Sequence, residues 1–323
     1  MRLDLMYANP AAVLHPGIGA RLPWWRIAFG SRLLMWLFEL LKRTELLGRF
    51  ALLAVVWVSL VHGLAVASPS TELRVVVPSL PSSAAAYSNY FPQLLALALE
   101  KTKGRDGPYR IEFFKGLLSS PRQVLELKNN SGLIDLIWDG SDKQREADLL
   151  PIRISLLRQL NDYRVFLIRA EDQEKFQNLR NLDELRQFSA GSGVNWPSTA
   201  VLRANGLRGE TSTVYESLFG MLAAKRFDYF PRGLHEAWVE QQAHADKGLV
   251  VESSILLHYV VPVYFFVSRD RPELADRIER GLAIALKDGS FEALFQSIPS
   301  FKRGLAEIKA NQRRIFELKP QQR

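Results

Sequence analysis

A single pattern restricts the fold of this chain more than any other: strands and helices alternate, the alternation breaks off, and then it starts again. "TELRVVVPSLP" (72–82) is a β-branched run that stops at prolines, which predicts a buried strand and a loop. "SNYFPQLLALALEKTKG" has apolar residues at helical spacing and ends in Gly104, a helix stop. "YRIEFFKG" predicts a strand. "SPRQVLELKNNSG" predicts a helix with Ser120 as candidate N-cap and Pro121 in its first turn, and "LIDLIWDG" predicts a third strand. The order recurs in "FSAGSG", "PSTAVLRANG", "TVYESLFGMLAAK", "RFDYFPRG" and "LHEAWVEQQAHA". Strands separated by helices pair in parallel, so each block predicts an α/β unit.

Two apolar extended runs, "DYRVFLIRAEDQEKF" and "YVVPVYFFVSRDRPELA", flank the second block. Either can carry the chain from one unit to the other. Helices at "RPELADRIERGLAIALKDG" and "FEALFQSI" then return it to the first unit. Two α/β lobes joined by two crossings make a clamshell. The expected divisions are 68–166 for the first part of lobe 1, 167–260 for lobe 2, and 261–323 for the return to lobe 1 and the C-terminal helices.

The segment before the body has a different character. Lys42, Arg43 and Arg49 precede an apolar run from Phe50 to Val61, followed by Ala65-Val66-Ala67. A positive flank, a short apolar core and a small-x-small site predict a signal peptide over 44–67, cleaved near Ala67, and a periplasmic body. The competing expectation is an uncleaved anchor facing the periplasm. His62 and Gly63 break the run before it reaches the ~20 residues a spanning helix needs, which favours cleavage. Residues 1–43 form an N-terminal extension, and Met35 is a candidate alternative start.

Composition excludes several functions. Without cysteine there is no disulfide framework, thiolate metal site or cysteine nucleophile. The formal net charge of +8 is partly a property of the leader, since residues 1–67 carry 7 Lys/Arg and 3 Asp/Glu. The charges of the body are interspersed, so nucleic-acid binding is not expected. His235, His244 and His258 lack metal-ligand spacing, and "HEAWVEQQAH" is not H-E-x-x-H. No G-x-S-x-G or P-loop occurs, no catalytic constellation assembles, and no cofactor is called for. The expected protein is a monomer without enzymatic activity.

The element order resembles that of type 2 periplasmic solute-binding proteins, specifically the amino-acid-binding, family 3-like branch of ABC transport systems, over roughly residues 70–300. Three stretches carry the resemblance: "IDLIWDGSDKQREADLLPI", "YVVPVYFFVSRDRPELADRIERGLAIALKDGSFEALF" and "SAGSGVNWPST". The phrase "RFDYFPRG" marks a similar subgroup. The resemblance implies a two-lobe, type II clamshell that captures a small anionic solute, an amino acid or related carboxylate, and delivers it to an ABC permease. A sensor of the same fold, acting on a membrane partner without transport, is the alternative. It also implies that Arg145, after the small polar loop containing Ser141, grips the ligand carboxylate. Where the amino-acid binders carry an acid for the ligand ammonium, this chain has Arg232 and Gly233. Asp139 or Glu236 would have to supply that acid, or the ligand is not an α-amino acid.

Each candidate has a second reading. Arg145 sits where open α/β sheets bind ligands and offers a planar fork for a carboxylate, but could instead pair with Glu146 or Asp148 on the surface. Arg232, held between Pro231 and Gly233, could face Arg145 across the cleft or pair with Glu236 one helical turn on. Ser192, Ser198 and Thr199 surround a helix start that could bind an anion, or Ser198 could simply cap it. Trp138, Tyr87, Tyr90 and Trp196 could wall a ligand or pack in the core. Asp139 could accept an ammonium or stabilise a turn.

Overall fold

Residues 72–79 and 85–319 are described by the computed structural model. The expected N-terminal extension and signal peptide, including Ala67, lie outside them. The three valines of Leu73–Val77 (β1) are almost fully buried, and β1 pairs in parallel with Tyr109–Phe113 (β2). Between these strands run Ala85–Ser88 (α1) and the long helix Tyr90–Asp106 (α2). Ser120–Lys128 (α3) follows with Pro121 in its first turn, then Leu136–Gly140 (β3). The Asp135 amide donates to the Val76 carbonyl at 2.7 Å, tying β3 to β1. Asp142 caps Lys143–Asp148 (α4) by accepting from the Arg145 amide at 2.7 Å, and Leu150–Ile152 (β4) ends this part of the chain.

A second sheet begins with Tyr163–Arg169 (β5). After Gln173–Gln177 (α5) and Leu182–Leu185 (α6) come Ala190–Gly193 (β6), Pro197–Ala204 (α7), Gly209–Ser212 (β7), Ser217–Ala223 (α8), Phe230–Gly233 (β8), Ala237–Ala243 (α9), Leu249–Val251 (β9) and Ile255–His258 (β10). β5 is the central strand, antiparallel to β8, β9 and β10. The parallel pair β6–β7 joins this sheet through a bridge between Ala190 and Tyr229.

The chain then returns. Val263–Val267 (β11) lies between β3 and β4, antiparallel to both. Pro272–Lys287 (α10) packs along α2, and the contact is close because position 281 is glycine: a Cβ there would sit 2.0 Å from the Ala98 carbonyl oxygen. Ser290–Ser297 (α11) and Pro299–Ala310 (α12) complete the helices. The last strand, Arg314–Glu317 (β12), corrects an expectation. It pairs in parallel with β10 in the second sheet, so the C-terminal segment does not end with the first lobe. Its pattern, with Phe316 buried between exposed neighbours, supplies one apolar residue to that sheet's core.

The crossings occupy 153–162 and 259–262 and run side by side. The Asn161 side-chain amide donates to the Val261 carbonyl at 2.6 Å. The Tyr259 amide donates to the Asp162 carbonyl at 2.9 Å, and the Leu156 amide to the Val263 carbonyl at 2.9 Å. Among the described residues no helix is long and apolar enough to cross a membrane.

Candidate functional site

Beside the crossings lies a cleft of about 280 Å³ lined from both lobes. Asn161 and Val261 of the crossings form part of its wall. Tyr87, Phe91, Trp138 and Asp139 reach it from the first lobe, and Trp196, Ser198, Arg232 and Glu236 from the second. Phe91 and Trp138 stack at 5.2 Å between centroids and 13° between planes.

The deepest charges form one network. Arg232 leaves β8 already buried and donates twice to Glu240, from Nε and Nη2, at 2.6 Å each. Glu240 is fully buried. The same guanidinium lies 2.8 Å from Glu236 and faces Trp196, Tyr215 and Phe230 at 4.7–5.6 Å. Tyr215 donates to Glu240 at 2.5 Å, and Tyr87 donates to Glu236 and Glu240 at 3.2 Å each. Burial works against the charge of Arg232, but Glu236 and Glu240 outweigh it and raise its pKa well above the ordinary value. Burial, Tyr215 and the two carboxylates likewise push the Tyr87 phenol up, so it stays a donor. The sequence reading allowed Arg232 an ion pair with Glu236. The principal partner is Glu240, eight residues on, because the turn after β8 folds α9 back beside the strand.

A second buried arginine escaped the sequence reading. Arg164, on β5 opposite Gly233, is only 5% exposed and lines the cleft. Its Nη1 donates to the Asn161 carbonyl and its Nε to the Tyr259 hydroxyl at 3.2 Å, and it lies over the Tyr259 ring at 5.2 Å. No carboxylate stands within 4.0 Å of it among the described residues. Glycine at 233 makes the room: a Cβ there would lie 2.5 Å from the His235 ring and 3.2 Å from Arg164 Nη1. The Gly233 amide donates to Glu236 at 2.7 Å, so Arg164 and Glu236 flank the same glycine. In the sequence it stands as a single charge inside the apolar run "DYRVFLIR", which forms β5.

Of the residues singled out in the sequence, Tyr87, Trp138, Asp139, Ser198 and Arg232 meet in this cleft. Arg145 and Thr199 do not. They line a neighbouring cavity of about 730 Å³ that shares Ser120, Trp196 and Pro197 with the cleft. Arg145 turns back under the end of β3, where it donates to the Gly140 carbonyl and lies 3.0 Å from Asp139 and 3.8 Å from Asp142. The expected convergence of Arg145 and Arg232 on one crevice is therefore not the arrangement found. Both guanidiniums already have carboxylates, and a buried cation is held by the nearest acids its strand end provides. Ser141 and Ser192 line neither cavity: Ser141 donates to Glu146, and Ser192 shares a hydrogen bond with Thr199. Asp139 also accepts from Ser120 at 3.2 Å and from the Gly140 amide at 2.7 Å. Tyr90 is fully buried in the core, its hydroxyl donating to the Leu156 carbonyl.

Burial, reinforced by Arg164 and Arg232, lowers the His235 imidazole from its ordinary 6.5 to about 3. The unfolded chain takes up this proton below pH 6.5 and the folded chain refuses it. Stability should therefore fall as the pH drops from 6.5 towards 3, by up to about 1.4 kcal/mol per pH unit from this residue. Urea midpoints between pH 7 and 4 check this: the loss should be shallower in His235→Gln than in the unaltered protein, and equal slopes would assign the pH dependence elsewhere.

No family model matches the chain, and no curated protein matches it. Solved structures do. An ancestral arginine-binding protein bound to arginine superposes with a TM-score of 0.53 at 14% identity, over 70% of this chain and 98% of that one. An amino acid ABC transporter substrate-binding protein from Streptococcus pneumoniae bound to L-arginine gives 0.53 at 14% identity, over 71% and 94%. A histidine kinase sensor domain with similarity to periplasmic binding proteins gives 0.51 at 17% identity, over 72% and 97%. At these identities the likeness establishes architecture. The chain has the two-lobe, type II periplasmic-binding-protein-like fold.

Proposed function

We propose that the protein is an exported solute-binding protein that holds an amino acid, or a related small carboxylate, between its lobes and passes it to an ABC-type permease. The observation that carries this reading is Arg164: a buried guanidinium in the wall of an interlobe cleft, with no carboxylate within 4.0 Å of it among the described residues. A ligand carboxylate supplies the missing charge and accepts the guanidinium's remaining donors. Glu236, on the other side of Gly233, receives the ligand ammonium. This pairing restores amino-acid recognition to a chain with an arginine where the acid was expected. The solved neighbours that bind arginine support the ligand class, and the charged, apolar, small-residue order of 42–67 supports export. The likeness to a kinase sensor domain favours a second reading, in which the same cleft reports occupancy to a membrane partner.

A thermal-shift screen of the purified protein against the twenty amino acids and short dicarboxylates tests the proposal. A ligand at about 100 times its Kd adds roughly 2.7 kcal/mol, a rise of roughly 5–10 °C for a body of this size. If no compound shifts the transition at millimolar concentration, the amino-acid reading is wrong.

A further inference from the structure

Among the described residues the passage from α12 to β12 makes a third link between the lobes, and it is held tightly at both ends. α12 packs on the first lobe through Phe301, whose ring meets Tyr90 at 4.8 Å and Phe295 at 5.0 Å. The same helix packs on the second lobe. Arg303 lies over the Trp238 ring of α9 at 4.5 Å. Gly304 faces the turn after β8, where a Cβ would stand 2.9 Å from the Leu234 carbonyl oxygen. Leu234 and Ala237 of the second lobe share one buried cluster with Tyr90, Phe295 and Phe301.

Asn311 then turns the chain in the left-handed region, at a φ of 48°, and two residues carry it to β12 on the edge of the second sheet. Three contacts fasten this passage. Arg313, 9% exposed, donates to Glu307 of α12 at 3.0 Å and to the Glu252 carbonyl between β9 and β10. The Glu252 carboxylate is itself fully buried and accepts from the Ser254 and Ile255 amides at 2.8 Å each. Arg314 donates to the Gln177 carbonyl at 2.6 Å. Past the strand, Asn205 and the Lys319 backbone exchange two hydrogen bonds of 2.8 Å.

We propose that α12 and β12 form an interlobe brace, pinned by Arg313, which sets the resting angle of the clamshell and through it the affinity for ligand. Two crossings alone let the lobes swing. With the brace in place, opening must pull α12 away from Leu234 and Trp238 or from Tyr90 and Phe295, and must load the short passage at 312–313. Close-packed contacts of this kind give way in steps rather than stretch, so the brace holds or releases. It also stands directly behind the ligand wall. Leu234 lies between Gly233 and His235, the His235 ring meets Phe301 at 6.1 Å, and His235 and Glu236 line the cleft. A shift of α12 therefore reaches the cleft through one turn of chain. The brace itself does not depend on what the cleft holds; only its effect on affinity rests on the solute-binding reading above.

The chain has no cysteine, so an engineered pair of thiols labels without background. Leu117, after β2, and Val214, after β7, are exposed on the two lobes. Spin labels on Leu117→Cys and Val214→Cys report the interlobe distance by double electron–electron resonance, without ligand. The pair is placed in the otherwise unaltered protein, in Arg313→Gln, in Arg313→Lys, and in a form lacking 312–323. The braced protein should give one narrow distribution. Arg313→Gln and the shortened form should add a longer population, and Arg313→Lys, which keeps the cation, should lie nearer the unaltered protein. A broad distribution in the unaltered protein overturns the proposal. So does an unchanged distribution in Arg313→Gln with native circular dichroism, which would make these contacts stabilisers of the second sheet alone; this comparison stands even if the shortened form does not fold. In calorimetry with the compound giving the largest thermal shift, Kd should rise about tenfold if release leaves a tenth of the molecules at the binding angle. A changed distance with an unchanged Kd overturns the link to affinity. If no compound binds, the solute-binding reading fails, while the distances still decide the brace.

Discussion

Replacing Arg164 with glutamine is expected to weaken ligand binding at least roughly 30-fold while leaving the chain folded. Glutamine retains a donor near the Asn161 carbonyl and the Tyr259 hydroxyl but loses the charge proposed to meet a ligand carboxylate. Truncating one member of a buried, hydrogen-bonded charge pair costs about 2–5 kcal/mol, so Kd should rise roughly 30-fold to several-thousand-fold. Arg164→Lys should fall between, since an ammonium keeps the charge but not the planar fork. Calorimetry with the compound that gives the largest thermal shift makes the comparison, with far-UV circular dichroism checking the fold. A Kd within threefold of the unaltered value in Arg164→Gln would remove the carboxylate from this position.

Arg232 should behave in the opposite way, as a residue of the protein's own structure. Arg232→Met leaves Glu240, fully buried, and Glu236 beside it with no cation, and should destabilise the fold by about 3–5 kcal/mol. The double change Arg232→Met with Glu240→Gln should recover much of that loss, because the isolated buried charge is gone with its partner. Urea denaturation of the single and double variants measures it. A loss under about 1 kcal/mol in the single variant would mean that the pair is open to water rather than sealed.

These two arginines show what could and could not be taken from the sequence. The alternation of strands and helices depends on side-chain period and on prolines and glycines, all local, so the α/β class was legible; of the two expected crossings, the run at 162–176 is instead β5 of the second sheet, and the chain crosses just before it at 153–162. Pairing across the turn at 233–236 is not local. Helical spacing points from Arg232 to Glu236, and only the folding of α9 against β8 brings Glu240 into bidentate contact. Arg145 looked free because its approach to the Gly140 carbonyl and Asp139 depends on how α4 leaves the end of β3. Arg164 was hidden for the converse reason: within "DYRVFLIR" it reads as one charge in an apolar run, and no pattern reveals that the cleft opens beside it. Likewise β12 gave no sign of its destination, since a four-residue strand can add to any free edge.

The stitched crossings have a mechanical corollary. Asn161 and Val261 belong both to the wall of the cleft and to the two crossings about which the lobes must turn, and Arg164 sits two residues beyond the first crossing, at the start of β5. A guest held by Arg164 therefore bears on the pivot itself rather than on distant jaws. Occupancy should be written into the axle, as slower amide exchange at Tyr259 and Val261, and a partner that grips the back of those crossings could sense a full cleft without ever touching what lies inside it.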